Sequence, residues 1–274
     1  LKIFEKLVWK PVAWIVVFVI GMVVFTFLDL PIAKAVYRNN NTYGRVFEIV
    51  GLFTTPMAGI FFAISNFYTI RVAKKRMLSF ILGWLALIAF VGINCLSIFM
   101  LNKEWFTNMF LLYVLFIFFS RWAVRYICSY AQVVELRKVM IVGLSATLMA
   151  VLGQTLIKYC FNRPRFIWLT DPDTQFRYWF VHYPMSHDSS FPSGHAAQSA
   201  LSFILVMFRR FVPNFRTKKW DIIMWTVAIF ITGSTMISRM LLGVHYATDV
   251  WAGAFLTLFT ISLSNWYVEK VYKE

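Results

Sequence analysis

The chain has 274 residues, of which 60% are hydrophobic, 19% aromatic and only 14% charged. A soluble domain carries about a quarter charged residues and about half apolar ones, so the composition excludes an ordinary water-exposed globule and predicts a bilayer-embedded chain. The net charge of +15 does not indicate nucleic acid, because Lys and Arg gather in short clusters between apolar runs and not along one stripe.

Apolar runs able to cross a hydrocarbon core of about 30 Å as helices fall at 11–28, 48–70, 78–101, 105–124, 139–157, 193–209, 221–238 and 245–266. These eight runs predict an all-α, polytopic transmembrane helical bundle. The first run is long and lacks a small-residue cleavage site, so it reads as a retained span and not as a signal peptide. Segment 31–47, PIAKAVYRNNNTYGRVF, is the candidate for an interfacial helix and would lower the number of spans. It also contains the glycosylation triplet Asn40–Asn41–Thr42. Cys95, Cys128 and Cys160 are too few and too scattered for a disulfide framework and read as reduced. Alternate connections differ in charge. One set collects two thirds of the Lys and Arg, among them Lys2, Lys6, Lys10, Lys74, Lys75, Arg76, Arg209, Arg210, Lys218 and Lys219. The positive-inside rule then places both termini in the cytoplasm and the remaining connections outside. The longest connection, 158–192, is one of the outer ones, and its length marks it as functional.

Three segments on that outer side carry polar residues at informative spacings. The first runs from Lys158 to Arg165 at the end of the fifth run, the second is Pro192–Ser193–Gly194–His195 opening the sixth, and the third is SRMLLGVHYATD, residues 238–249. Lys158, Arg165 and Arg239 are candidates to surround a tetrahedral dianion, the arginines as forked donors and the lysine as a point charge. Ser193 and Gly194 precede a helix, where free N–H groups and the positive dipole end favour an anion. His245 and Asp249 lie four apart, a spacing at which a carboxylate can hold one ring nitrogen and leave the other to attack. His195, on a different run, is the candidate general acid. Together they make a phosphoryl-transfer set that requires neither metal nor cofactor.

These segments resemble the signature of the type-2 phosphatidic acid phosphatase superfamily, which also includes vanadium haloperoxidases and glucose-6-phosphatase. The second and third segments match it in full. The first matches at Lys158 and Arg165 but has Phe166 where the signature has proline. The resemblance implies a six-helix membrane core over 78–274, with 1–77 an N-terminal transmembrane hairpin addition. It also implies a phosphohistidine on His245 supported by Asp249, with His195 protonating the leaving oxygen. Lys158, Arg165, Ser193, Gly194 and Arg239 would hold the phosphoryl oxygens.

The expected activity is therefore removal of phosphate from a phosphorylated lipid at the outer face of the plasma membrane, with the bilayer and the lipid as partners. Candidate substrates are phosphatidic acid, phosphatidylglycerophosphate, a polyprenyl diphosphate or a phosphorylated glycolipid. Two rivals remain open from sequence. One is a phosphotransferase passing the group to a lipid acceptor; the other is a headgroup carrier without chemistry. The blander readings are N-capping for Ser193, snorkelling for Arg121, Arg209 and Arg210, and turn capping for Asp171 and Asp173. Arg163 reads either as a further anion ligand or as a headgroup contact. His182 and His187, beside Asp188, read as loop histidines, with metal ligation together with His195 as the lesser alternative.

Overall fold

A computed structural model describes residues 11–70, 76–101, 103–182, 189–210 and 212–271. The described residues are mostly helical, and none of them lies in a strand. The longer helices are α1 (Pro11–Val36), α2 (Thr42–Leu52), α3 (Thr54–Thr69), α4 (Arg76–Ala86) and α5 (Ile93–Leu101), the last two joined by a π-helical stretch, Leu87–Gly92. They continue with α6 (Lys103–Ile127) and α7 (Tyr130–Phe161). After a loop with a short helix α8 (Pro172–Gln175) come α9 (Gly194–Ala200), α10 (Lys218–Leu241) and α11 (Ala247–Val271).

Among the described residues seven helical segments are long and apolar enough to cross a membrane: Ile15–Val36, Thr42–Thr69, Arg76–Leu96, Met109–Tyr126, Tyr130–Trp168, Lys218–Leu241 and Ala247–Val271. The eighth expected run, 193–209, is not one long α-helix. It forms α9 and then ten residues of 3₁₀-helix, Leu201–Arg210. The tighter winding compensates for the shortage of residues. Seven residues at about 1.5 Å and ten at about 2 Å reach about 30 Å, the thickness of a hydrocarbon core. Segment 31–47 is likewise no separate interfacial helix: α1 runs through Pro31 to Val36, and α2 begins at Thr42.

The chain packs as two compact units. The first comprises residues up to Leu52, Ser145–Phe203 and Thr226 onward, and the second Phe53–Leu144 with Ile204–Trp225. Helices α1 and α2 lie in the unit that holds the motif residues.

In the first unit α11 is the central helix. It packs along α1 and against α9, and 78% of its apolar window is buried against 17% for α1. Close approach depends on Gly253, where a Cβ would stand 2.2 Å from the Ser193 carbonyl oxygen. The second unit is held by aromatic packing and a few buried polar pairs. Phe53 stacks on Tyr113 at 4.6 Å, Phe61 meets Phe116 edge-on, and the Tyr113 hydroxyl donates to Asn94. At its Ile204–Trp225 segment Arg209 pairs with Asp221 at 2.9 Å.

Candidate functional site

The three motif segments meet in the first unit, drawn together mainly by backbone hydrogen bonds. Helix α10 ends at Leu241 in a Schellman motif. Gly243, at φ +67°, takes the left-handed conformation that glycine adopts without penalty. Its N–H donates to Met240 O at 3.0 Å, and Val244 N–H donates to Arg239 O at 3.2 Å. His245 N–H also donates to Arg239 O, at 3.3 Å. The five residues between Arg239 and His245 are therefore the length of chain needed to turn back onto the arginine's own carbonyl. At the other joint, Ser193 N–H donates to Asp249 O at 2.9 Å, which ties the start of α9 to α11. Ser190 N–H donates to Arg163 O at 2.8 Å, and Lys158 Nζ donates to Ser189 O at 2.9 Å.

His245 is buried, and its Nδ1 lies 2.7 Å from the carbonyl oxygen of Ser190. A carbonyl only accepts, so Nδ1 carries the proton and Nε2 keeps a free lone pair. The nearest Asp249 oxygen is 3.7 Å from Nδ1, beyond hydrogen-bond distance. The spacing-based expectation that Asp249 holds the imidazole thus gives way to a backbone acceptor, because the carboxylate is engaged elsewhere. One Asp249 oxygen accepts from Arg163 Nη1 at 2.7 Å and the other from Tyr246 N–H at 2.8 Å. His245 itself lies before the first turn of α11, so the geometry of a continuous helix does not apply to the pair. Burial of the ring pushes its pKa down to about 4, against the opposing pull of Asp249.

His195 sits in the first turn of α9, half-buried, with its Nε2 inaccessible and without a hydrogen-bond partner among the described residues. A buried polar atom left without a partner is uncommon and points to a ligand or a reaction. His195 lies within electrostatic reach of Arg239, His245, Arg165 and Lys158. The structure therefore gathers two imidazoles and three cations in one place. Ser193 caps α9, its hydroxyl accepting from Ala196 N–H at 3.4 Å. Gly194 faces the side-chain amide of Gln154, which a Cβ would approach to 3.1 Å. Arg165 stacks near Trp168 at 5.0 Å. Phe166, in place of the signature's proline, is buried in a cluster with Ala33 and Tyr246, so the departure fills space against α1.

Arg163 takes neither of the roles expected for it. It is fully buried, bonded through Nη2 to Asp29 at 2.9 Å, through Nη1 to Asp249 and Thr248, and through Nε to the carbonyl of Arg177. Its guanidinium lies 3.9 Å from the centroid of the Tyr246 ring. Arg239 is paired with Glu48 of α2. Asp29 and Glu48 were missed in the sequence, although each is an acid within or beside an apolar run, where an ionisable group is costly enough to suggest function. Asp171 caps α8, accepting from Asp173 N–H, in accord with the turn expected there. His182 Nδ1 lies 2.6 Å from the Cys160 carbonyl; His187 and Asp188 are outside the described residues. Among the described residues no group of three or more His, Cys, Asp or Glu is arranged to hold a metal ion.

No curated protein and no solved structure matches the chain. The family model of the PAP2 superfamily matches residues 138–273. That span contains every motif residue from Lys158 to Asp249, and through it the chain belongs to the PAP2 superfamily.

Proposed function

We propose that the protein is an integral membrane phosphatase that hydrolyses a phosphorylated lipid through a phosphohistidine on His245, at the outer face of the plasma membrane. Membership of the superfamily supports a phosphatase-type activity. The observation that carries the finer reading is the hydrogen bond from His245 Nδ1 to the Ser190 carbonyl, which leaves Nε2 as a neutral nucleophile near three cations. The seven apolar helices support a membrane setting, where an amphiphile can present its headgroup while its tails stay in lipid.

In the first step His245 Nε2 forms a bond to phosphorus while the bond to the lipid oxygen breaks. The departing oxygen takes the electron pair and a proton from His195. Lys158, Arg165 and Arg239, with the backbone at Ser193 and Gly194, hold the phosphoryl oxygens most strongly as charge spreads in the transition state. Asp249, 3.7 Å from Nδ1, offsets the positive charge that develops on the ring. In the second step His195 takes a proton from water, the water oxygen bonds to phosphorus, and the P–N bond breaks to return neutral His245 and free phosphate.

The test is phosphate release by purified protein from phosphatidic acid, phosphatidylglycerophosphate, a polyprenyl diphosphate and a phosphorylated glycolipid, with His245→Ala in parallel. Release from at least one lipid, abolished in the variant, is the expected result. Undiminished release by His245→Ala removes the nucleophile from the scheme.

A further inference from the structure

We propose that Asp29 of α1 is a positioning residue for the turn that carries His245 and Asp249, so that the first helix completes the active site. The inference rests on the nucleophilic role given to His245. Helix α11 starts at Ala247, and the N–H groups of its first turn need acceptors. For Thr248 the acceptor comes from α1. One oxygen of Asp29 accepts from Thr248 N–H at 2.8 Å. The other accepts from the Thr248 hydroxyl and from Arg163 Nη2. Arg163 then grips Asp249 at 2.7 Å and the Thr248 oxygen at 2.9 Å. Asp29, Arg163, Thr248 and Asp249 are all fully buried. The chain of contacts runs from α1 through a guanidinium to the carboxylate beside His245.

A purely stabilising role explains this arrangement poorly. Taking two carboxylates and a guanidinium out of water costs enough that apolar side chains of the same volume often do as well or better for stability. What the ion triad supplies and an apolar contact does not is direction. It fixes Asp249 and the first turn of α11, and with them the approach of His245 Nε2 to phosphorus. Displacement of a reacting group by about 1 Å costs about 10²-fold in rate.

The experiment compares folded, purified wild type, Asp29→Asn, Asp249→Asn and the double variant, with phosphate release from short-chain phosphatidic acid and phosphatidylglycerophosphate in mixed micelles as the readout. Asparagine keeps the volume of Asp29 and loses the charge that Arg163 holds. We expect kcat to fall about 10- to 100-fold, with KM changed by less than about threefold, since the loss is of orientation and not of headgroup binding. In the Asp249→Asn background the further loss should be less than about threefold, because both residues act through one network. A kcat for Asp29→Asn within twofold of wild type, or equal fold-losses in both backgrounds, overturns the proposal. Thr248→Val, which removes only the hydroxyl between Asp29 and Arg163, provides a second route if Asp29→Asn does not fold. It should lower kcat about three- to tenfold at unchanged KM, and an unchanged kcat contradicts the role. Full activity in His245→Ala defeats the mechanism itself and is read separately from these variants.

Discussion

Helices α1 and α11 pack along each other and are of nearly equal length, yet they meet their surroundings in opposite ways. Helix α11 is buried over 78% of its apolar window, and its hidden residues include Thr257, Thr260, Ser262, Ser264 and Asn265. Helix α1 is buried over 17% and turns Phe27, Ile20 and Val23 outward. In water the apolar face of a helix marks the inside. Here the apolar helix is the outer one, and the inward direction is marked by polar groups. Asp29 is the one acidic residue of α1, and it is fully buried against the start of α11. An outlying, lipid-like helix thereby reaches into the site through a single carboxylate.

The contrast sharpens under substitution, and the largest effects belong to the α11 side. His245→Ala should lower kcat/KM by about 10⁴-fold or more, as removal of a nucleophile does, measured as phosphate release. His195→Ala should cost about 10²- to 10⁴-fold, the usual contribution of a positioned acid or base; a loss below tenfold breaks its assignment. Arg163→Met joins the two helices in one test. It strands Asp29 and Asp249 without their shared cation and should destabilise the protein by about 3–5 kcal/mol, read as a fall in Tm of the detergent-solubilised protein. An unchanged Tm would show that α1 and α11 are not coupled through this residue.

Acidity produces a smaller effect. Burial holds His245 near 4, below the ordinary histidine value of about 6.5, so the ring stays neutral, as the proposed nucleophile must, well into the acid range. The acid limb of kcat/KM should fall near pH 4 and not near pH 6.5. The sign for stability is the same. Between about pH 6.5 and pH 4 the unfolded chain binds a proton that the folded one refuses, so stability present above pH 6.5 is lost as pH falls toward 4. A limb at pH 6.5 would mean that His245 is not the desolvated ring described above. The smallest effect is expected from EDTA, which should leave activity unchanged because side chains and backbone N–H groups fill every role in the proposed reaction.

The motif segments were legible because they are defined by residue spacing. Pro-Ser-Gly-His and the run from Ser238 to Asp249 can be read in one dimension, and the Schellman turn at Gly243 explains why the second has its length. The all-α, membrane-spanning character was legible from composition. What escaped were the particular hydrogen bonds and ion pairs made by partners distant in sequence. Ser190 holds His245 through a backbone carbonyl, and any residue type carries one. Asp29 lies one residue past the first apolar run, and its partner Arg163 is 134 positions away. Arg163 differs little from Arg165 in sequence, yet it is wholly enclosed by acids and aromatic rings. The 3₁₀ winding of Leu201–Arg210 has no periodic signature distinct from that of an apolar helix.

The proposed chemistry turns on a bond between Nε2 of His245 and phosphorus. Rapid quenching of purified protein with lipid labelled at its phosphate, followed by peptide mapping at alkaline pH, tests this most directly. The expected result is an acid-labile, base-stable label on the peptide containing His245. Label recovered at any other residue would contradict it.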